Sequence, residues 1–145
     1  GWNEKLAGPV YRNINGDEFP SGRMLMDAVA RTGTRFLIID AKYYTARSVD
    51  SSPSWPDVVK QLYYQKAMEA LLKDPVSEVQ SCFIFPASRL DTPHFDDVQM
   101  MYKTGVIEST FPNIYCYYLN MEDVVKAYIS RTKLHSLNLW RAANF

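Results

Sequence analysis

Apolar and polar positions divide the chain into short extended segments around one long helical segment. Arg23-Met24-Leu25-Met26-Asp27-Ala28-Val29-Ala30 reads as a strand, Thr32-Gly33-Thr34 as a turn, and Arg35 to Asp40 as the next strand. A two-residue turn on Gly33-Thr34 puts glycine first, as a type II′ hairpin prefers. In that register Arg31 faces Phe36, Ala30 faces Leu37, and Asp27 lands directly opposite Asp40. Tyr43 to Ser54 reads as a surface loop. Pro56 opens a helix running to about Lys73, with Ser54 or Trp55 near its cap. Val59, Leu62, Tyr63, Ala67, Ala70 and Leu71 give that helix an apolar stripe, and Asp74-Pro75 ends it.

The flanking regions are plainer. Residues 1–8 read as the tail of a helix, and Pro9 to Gly22 as irregular chain with a turn at Asn15-Gly16-Asp17. Glu78 to Phe85 is a strand stopped by Pro86, and Ala87 to Asp97 a polar loop. Val98 to Tyr102 and Val106 to Ser109 pair as a short hairpin around Thr104-Gly105. Ile114 to Leu119 has strong strand propensity. Asn120 caps a final helix from Met121 to Ser130, and Thr132 to Phe145 is read as another helix or a packed tail. The strand–helix–strand step over residues 34–85 calls for a right-handed crossover. The predicted class is α/β, a mixed sheet with helices on its faces.

Composition narrows the class without choosing the function. The chain has 145 residues, enough for one domain with a real core. Its 47% hydrophobic and 22% charged content is ordinary for a soluble globular protein. No apolar run approaches the roughly 20 residues that span a bilayer, and no signal-peptide pattern opens the chain. A cytoplasmic setting without a membrane partner is therefore expected. Zero formal net charge counts against a free-standing nucleic-acid binder, which is usually basic. It suits a catalytic piece that grips its partner elsewhere. Cys82 and Cys116 lie in predicted strands and read as buried free thiols, since their spacing gives neither a disulfide framework nor a zinc site. With His94 and His135 as the only histidines there is no HExxH, no Ser/His/Asp set, and no Gly-rich phosphate loop.

The chemistry gathers at the end of the second strand. Side chains alternate between strand faces, so Asp40 and Lys42 point the same way and Ala41 the other. Two opposed carboxylates, Asp27 and Asp40, repel unless a cation or a proton lies between them. They are hard oxygen ligands of the kind magnesium takes in ones and twos, and the Ala41 backbone carbonyl adds another. Lys42 then orients a water or stabilises a negatively charged transition state. The competing reading is a salt bridge on a sheet edge. On the following helix Gln61 and Gln65 share a face. They either bind water or phosphate, or lie with Lys60 and Glu69 on a solvated face. Tyr43, Tyr44, Trp55, Tyr63 and Tyr64 cluster near this region in sequence, with Tyr63 assigned to the core, and Arg47 is a candidate phosphate contact.

These residues resemble the PD-(D/E)xK nuclease superfamily. Met26-Asp27 stands where that motif has Pro-Asp, and Asp40-Ala41-Lys42 stands at (D/E)xK. Phe36 to Tyr44, Asp57-Val58-Val59-Lys60-Gln61 with Tyr64, and Cys82-Phe83-Ile84-Phe85-Pro86 are similar to restriction nuclease subunits of the LlaJI and McrC type, over roughly residues 20–130. The resemblance implies a restriction-endonuclease-like αβββαβ core. It implies Mg²⁺, with Mn²⁺ as substitute, on Asp27, Asp40 and Ala41. It makes Lys42 the catalytic lysine and Gln61 a supporting site residue. It also implies an acid on the first helix, for which Glu4 fits and Glu18 fits less well.

The function so implied is a Mg²⁺-dependent endonuclease domain of a restriction system, cutting double-stranded DNA. All 145 residues are expected to form one nuclease domain of a larger subunit. A nucleotide-hydrolysing motor subunit and a homodimer or two-subunit assembly are the expected partners. The alternatives are a catalytically inactive nucleic-acid-binding or scaffold domain with the same fold, and a nuclease acting on RNA or a Holliday-type junction.

Overall fold

The computed structural model describes residues 1–88 and 90–130. Its main sheet has five strands. The central ones are β4 (Arg35–Ala41), β5 (Glu78–Ala87) and β7 (Ile114–Asn120). The edges are β3 (Ala28–Thr32), antiparallel to β4, and β6 (Asp97–Val98), antiparallel to β7. The order is β3-β4-β5-β7-β6, with β4, β5 and β7 mutually parallel. A separate two-stranded ribbon, β1 (Val10–Arg12) with β2 (Glu18–Pro20), lies ahead of it. The helices are α1 (Trp2–Lys5), α2 (Trp55–Leu72) and α3 (Met121–Ser130). The fold is a mixed α/β sheet flanked by helices, with α2 as the crossover between parallel neighbours β4 and β5. The tail from Thr132 to Phe145 lies outside the described residues.

The β3–β4 hairpin has the expected register. Arg31 pairs with Phe36, Ala30 with Leu37 and Ala28 with Ile39. Gly33 has φ of 61°, the left-handed value a tight hairpin turn requires and glycine supplies without a Cβ clash. The strand itself begins later than its apolar run, at Ala28 rather than Arg23.

Several further expectations need correction. Pro9 to Gly22 is not irregular: it forms the β1–β2 ribbon around a turn at Asn13 to Asp17. Pro86 does not stop β5, which continues to Ala87. The Lys42 N–H donates to the Ile84 carbonyl at 2.9 Å, so Ile84 and, two residues on, Pro86 address the β4 side. There β4 has ended, and no neighbour asks for the missing N–H; the Pro86 carbonyl instead accepts from Thr45 Oγ1. Finally, α2 buries Val58, Gln61, Tyr64, Gln65, Ala67 and Met68, while Val59 (44% exposed) and Tyr63 (38%) face outward.

That inward glutamine face is satisfied by the sheet. Gln61 Nε2 donates to the Cys82 carbonyl at 2.8 Å, and Gln65 Nε2 to the Val79 carbonyl at 2.8 Å. Gln65 Oε1 accepts from Ser81 Oγ at 3.1 Å. Buried amides with full partners are tolerated where unpaired ones are not. The solvated-face reading of these two glutamines is thereby overturned. Around them Leu6, Met26, Phe36, Ile38, Tyr64, Met68 and Val79 form one core cluster, and Val58, Phe83, Phe85, Ile114 and Cys116 another. Both lie on the α2 side of the sheet. On the opposite face Leu37, Cys82 and Tyr115 pack with Ile39, Ile84 and Tyr117.

The other elements follow the sequence closely. Ser54 caps α2: its N–H and Oγ both donate to Asp57 Oδ2, at 3.2 and 3.0 Å. Asn120 Oδ1 accepts from Glu122 N at the start of α3. Around Gly105, Met101 bridges antiparallel to Ile107, while Val98 pairs with Ile114 instead of joining that turn.

Candidate active site

Strand alternation decides what Asp40 meets. Phe36, Ile38 and Asp40 share the face of β4 that α2 covers, so the carboxylate is brought under the first turns of the helix and is only 4% exposed. Lys42, next on that face, places Nζ 2.9 Å from Asp40 Oδ1 and 3.0 Å from Asp57 Oδ1. It also lies 5.6 Å from the Phe83 ring centre. Lys60 Nζ stands 3.5 Å from Asp40 Oδ2 and 3.8 Å from Asp57 Oδ1. Two lysines and two aspartates thus interlock between a strand end and a helix start.

Burial alone would pull the Lys42 ammonium below its ordinary pKa, but its hydrogen bonds and charge interactions with Asp40 and Asp57 outweigh this and raise it. Burial likewise pushes Asp57 up, and its bonds to Lys42 and Ser54 more than reverse the effect, leaving it lowered. Both groups are charged at neutral pH, so Lys42 serves as a cation and hydrogen-bond donor, not as a base.

Asp27 stands just beyond the last ladder pair, Ala28 with Ile39. Its Oδ2 accepts from the Ala41 N–H at 3.2 Å. The Ala41 carbonyl leaves the strand on the same side as its N–H, toward Asp27. Asn3 holds the backbone before Asp27, with Oδ1 accepting from Met26 N at 2.9 Å and Nδ2 donating to Met26 O at 3.2 Å. Asp27, Asp40, Ala41 and Lys42 therefore come together at one strand end.

The remaining candidates are engaged elsewhere. Gln61 is spent, through Nε2, on Cys82. Glu4 is exposed on α1, and Glu18 pairs with Arg12 at 2.7 Å. Among the described residues no group of three or more His, Cys, Asp and Glu side chains assembles, so neither glutamate joins the two aspartates. Arg47 pairs with Asp91 at 2.8 Å. Tyr63 is not the core tyrosine: its hydroxyl donates to the Ala7 carbonyl at the surface, and Tyr64 takes the core position. Tyr43 and Trp55 are exposed.

In the sequence Asp57 and Lys60 stand in the segment that carries the family resemblance, with Lys60 read on a solvated helix face, and neither has a site role. The signal that identifies them is the Ser54-x-x-Asp57 cap, which fixes the helix to begin beside the strand end carrying Lys42.

The donor set suits a hard divalent ion. Asp40 Oδ2 is buried, has no hydrogen-bond partner and meets only the Lys60 ammonium at 3.5 Å among the described ion pairs, while Asp27 lies at the same strand end against the Ala41 backbone. Magnesium asks for little more from protein.

Fold and site together define a restriction-endonuclease-like α/β chain. The LlaJI restriction endonuclease family matches residues 18–132, and the chain belongs to it. It is similar to the Type II restriction enzyme BsuMI component YdjA of Bacillus subtilis (strain 168), with 37% identity over 62 residues, 40% of this chain and 13% of that protein. No solved structure matches. No helix among the described residues is long and apolar enough to cross a membrane.

Proposed function

We propose that the chain is the Mg²⁺-dependent endonuclease domain of a restriction system and hydrolyses phosphodiester bonds in double-stranded DNA. The observation that carries this reading is the buried Asp40 carboxylate. One of its oxygens is held by Lys42 at 2.9 Å, and the other has no hydrogen-bond partner, with Lys60 standing off at 3.5 Å. The family membership and the restriction component from Bacillus subtilis support the restriction setting.

In this reading Asp27, Asp40 and the Ala41 carbonyl hold the ion. The bound ion acidifies a water and neutralises charge on the phosphate. Lys42, kept charged by Asp40 and Asp57, offers its ammonium to the negative charge that builds on the phosphoryl oxygens as water attacks phosphorus. The water oxygen bonds to phosphorus as the bond from phosphorus to the 3′ oxygen breaks; the water gives up one proton to solvent and the leaving 3′ oxygen takes one up, so one water is consumed. Lys60 shields the second oxygen of Asp40 until the ion enters. A motor subunit and a second copy of the active site, one for each strand, are the proposed partners.

The test is cleavage of mixed plasmid DNA with Mg²⁺ by wild type, Asp40→Asn and Lys42→Ala. Each variant is expected to lose about 10²–10³-fold in rate, the range for removing one preorganised electrostatic group. Equal cutting by all three proteins would refute the reading.

A further inference from the structure

Among the described residues, two buried side-chain polar atoms have no hydrogen-bond partner: Asp40 Oδ2 and the Tyr64 hydroxyl. They belong to facing elements. Lys60, one turn ahead of Tyr64 on the same helix face, reaches Asp40 Oδ2. Tyr64 packs in the cluster that contains Ile38, two residues before Asp40 on the same strand face, and Met26, the residue before Asp27. Side chains lean toward the N-terminus of their helix, so the phenol of Tyr64 leans along α2 toward the Lys60 turn and the acids. Burial raises the Tyr64 pKa, and the charges of Asp27 and Asp40 add to that rise.

An unpaired hydroxyl in a residue only 1% exposed is a rare and costly arrangement. The two orphans do not satisfy each other. Asp40 Oδ2 faces the Lys60 ammonium at 3.5 Å without a hydrogen bond, and a hydrated divalent ion would give the carboxylate a closer cation and the phenol oxygen a polarised O–H. Magnesium and manganese retain several waters when two carboxylates bind them, and a water in so buried a setting needs a partner.

We propose that the Tyr64 hydroxyl is that partner, accepting a hydrogen bond from a water carried by the divalent ion at Asp27 and Asp40. The assignment rests on the metal-dependent reading above. It makes Tyr64 a positioning residue that orients the ion's water from the helix side, opposite the strand that supplies the ligands.

The test is calorimetric titration of Mn²⁺ into the whole chain as wild type, Tyr64→Phe and Asp40→Asn, with melting curves of each in the absence of metal. Tyr64→Phe removes one oxygen and keeps the ring. It is expected to weaken Mn²⁺ binding about 10-fold or more, as the loss of an outer partner of a metal site does. Its metal-free melting temperature should be equal or higher, because the oxygen removed had no partner. Asp40→Asn should abolish binding. Wild-type affinity in Tyr64→Phe, with binding lost in Asp40→Asn, overturns the Tyr64 assignment and leaves the nuclease reading standing. A lower metal-free melting temperature in Tyr64→Phe also overturns it, by revealing a partner within the fold. Absence of Mn²⁺ binding in wild type overturns both.

Discussion

Lys42 Nζ lies 3.0 Å from Asp57 Oδ1, joining residues fifteen positions apart. The contact ties the end of β4 to the start of α2. It gives the lysine a second carboxylate, so its charge does not depend on Asp40 alone.

The pair sets two pH limits on stability. Asp57 has its pKa below the ordinary 3.8, because bonds to Lys42 and Ser54 outweigh its burial. Its contribution is full above pH 3.8 and fades as pH falls through the lowered folded value. Lys42 has its pKa above the ordinary 10.5, its carboxylate partners outweighing burial. Its contribution is full below pH 10.5 and fades as pH climbs through the raised folded value. Asp57→Asn should lower the melting temperature most near neutrality and flatten both limbs. Melting curves across the acid and alkaline ranges check this.

Removing Lys42 should cost stability as well as the proposed cleavage. Lys42→Ala leaves Asp40 buried with the more distant Lys60 ammonium, at 3.5 Å, facing it. Stranding one charge of a buried pair costs about 3 kcal/mol. Urea unfolding at neutral pH is expected to show a loss of that size. Lys42→Ala combined with Asp40→Asn should recover part of it.

Gln61 should act first through the fold. Its Nε2 bond to the Cys82 carbonyl, at 2.8 Å, anchors α2 on β5. Gln61→Leu is expected to destabilise by about 1–3 kcal/mol, the cost of leaving a buried group without its partner. Urea unfolding of the variant measures that cost, and Mn²⁺ titration of the folded variant is expected to show affinity close to wild type.

Cys82 should be chemically silent in the folded chain. Burial, with smaller effects from Cys116 and Asp40, pushes its thiol up to about 12, and thiolate is the reactive form. A disulfide-exchange reagent at neutral pH should label it at the rate of unfolding. Fast labelling of Cys82, traced by mass spectrometry, would count against its burial.

The β3–β4 register was legible because a glycine turn and an alternating strand constrain each other, and shifting by one residue would have flipped every side chain. That register also puts Asp27 and Asp40 at one strand end from the sequence alone. The β1–β2 ribbon was illegible because both faces are exposed: Val10, Tyr11 and Phe19 lie in solvent, so no burial alternation marks it. The buried face of α2 was misread for the opposite reason. Gln61 and Gln65 point inward because carbonyls of β5 await them, and hydropathy does not register a partner on another element. Asp57 and Lys60 escaped as site neighbours because their role depends on where the helix docks. Tyr64 was inseparable in sequence from Tyr63 until the helix phase was known.

The side-chain amide of Asn3 works as a splint on Met26. It uses the Met26 N–H, a hydrogen that the proline usual before the first acid of the motif would lack. Stiffness that a ring would supply locally is here borrowed from a segment twenty-three positions upstream. In the proposed metal-dependent reading, Asn3→Ala would therefore loosen the aim of Asp27 toward the ion. The leading helix thus holds, through Asn3, the backbone that carries the first acid of the motif.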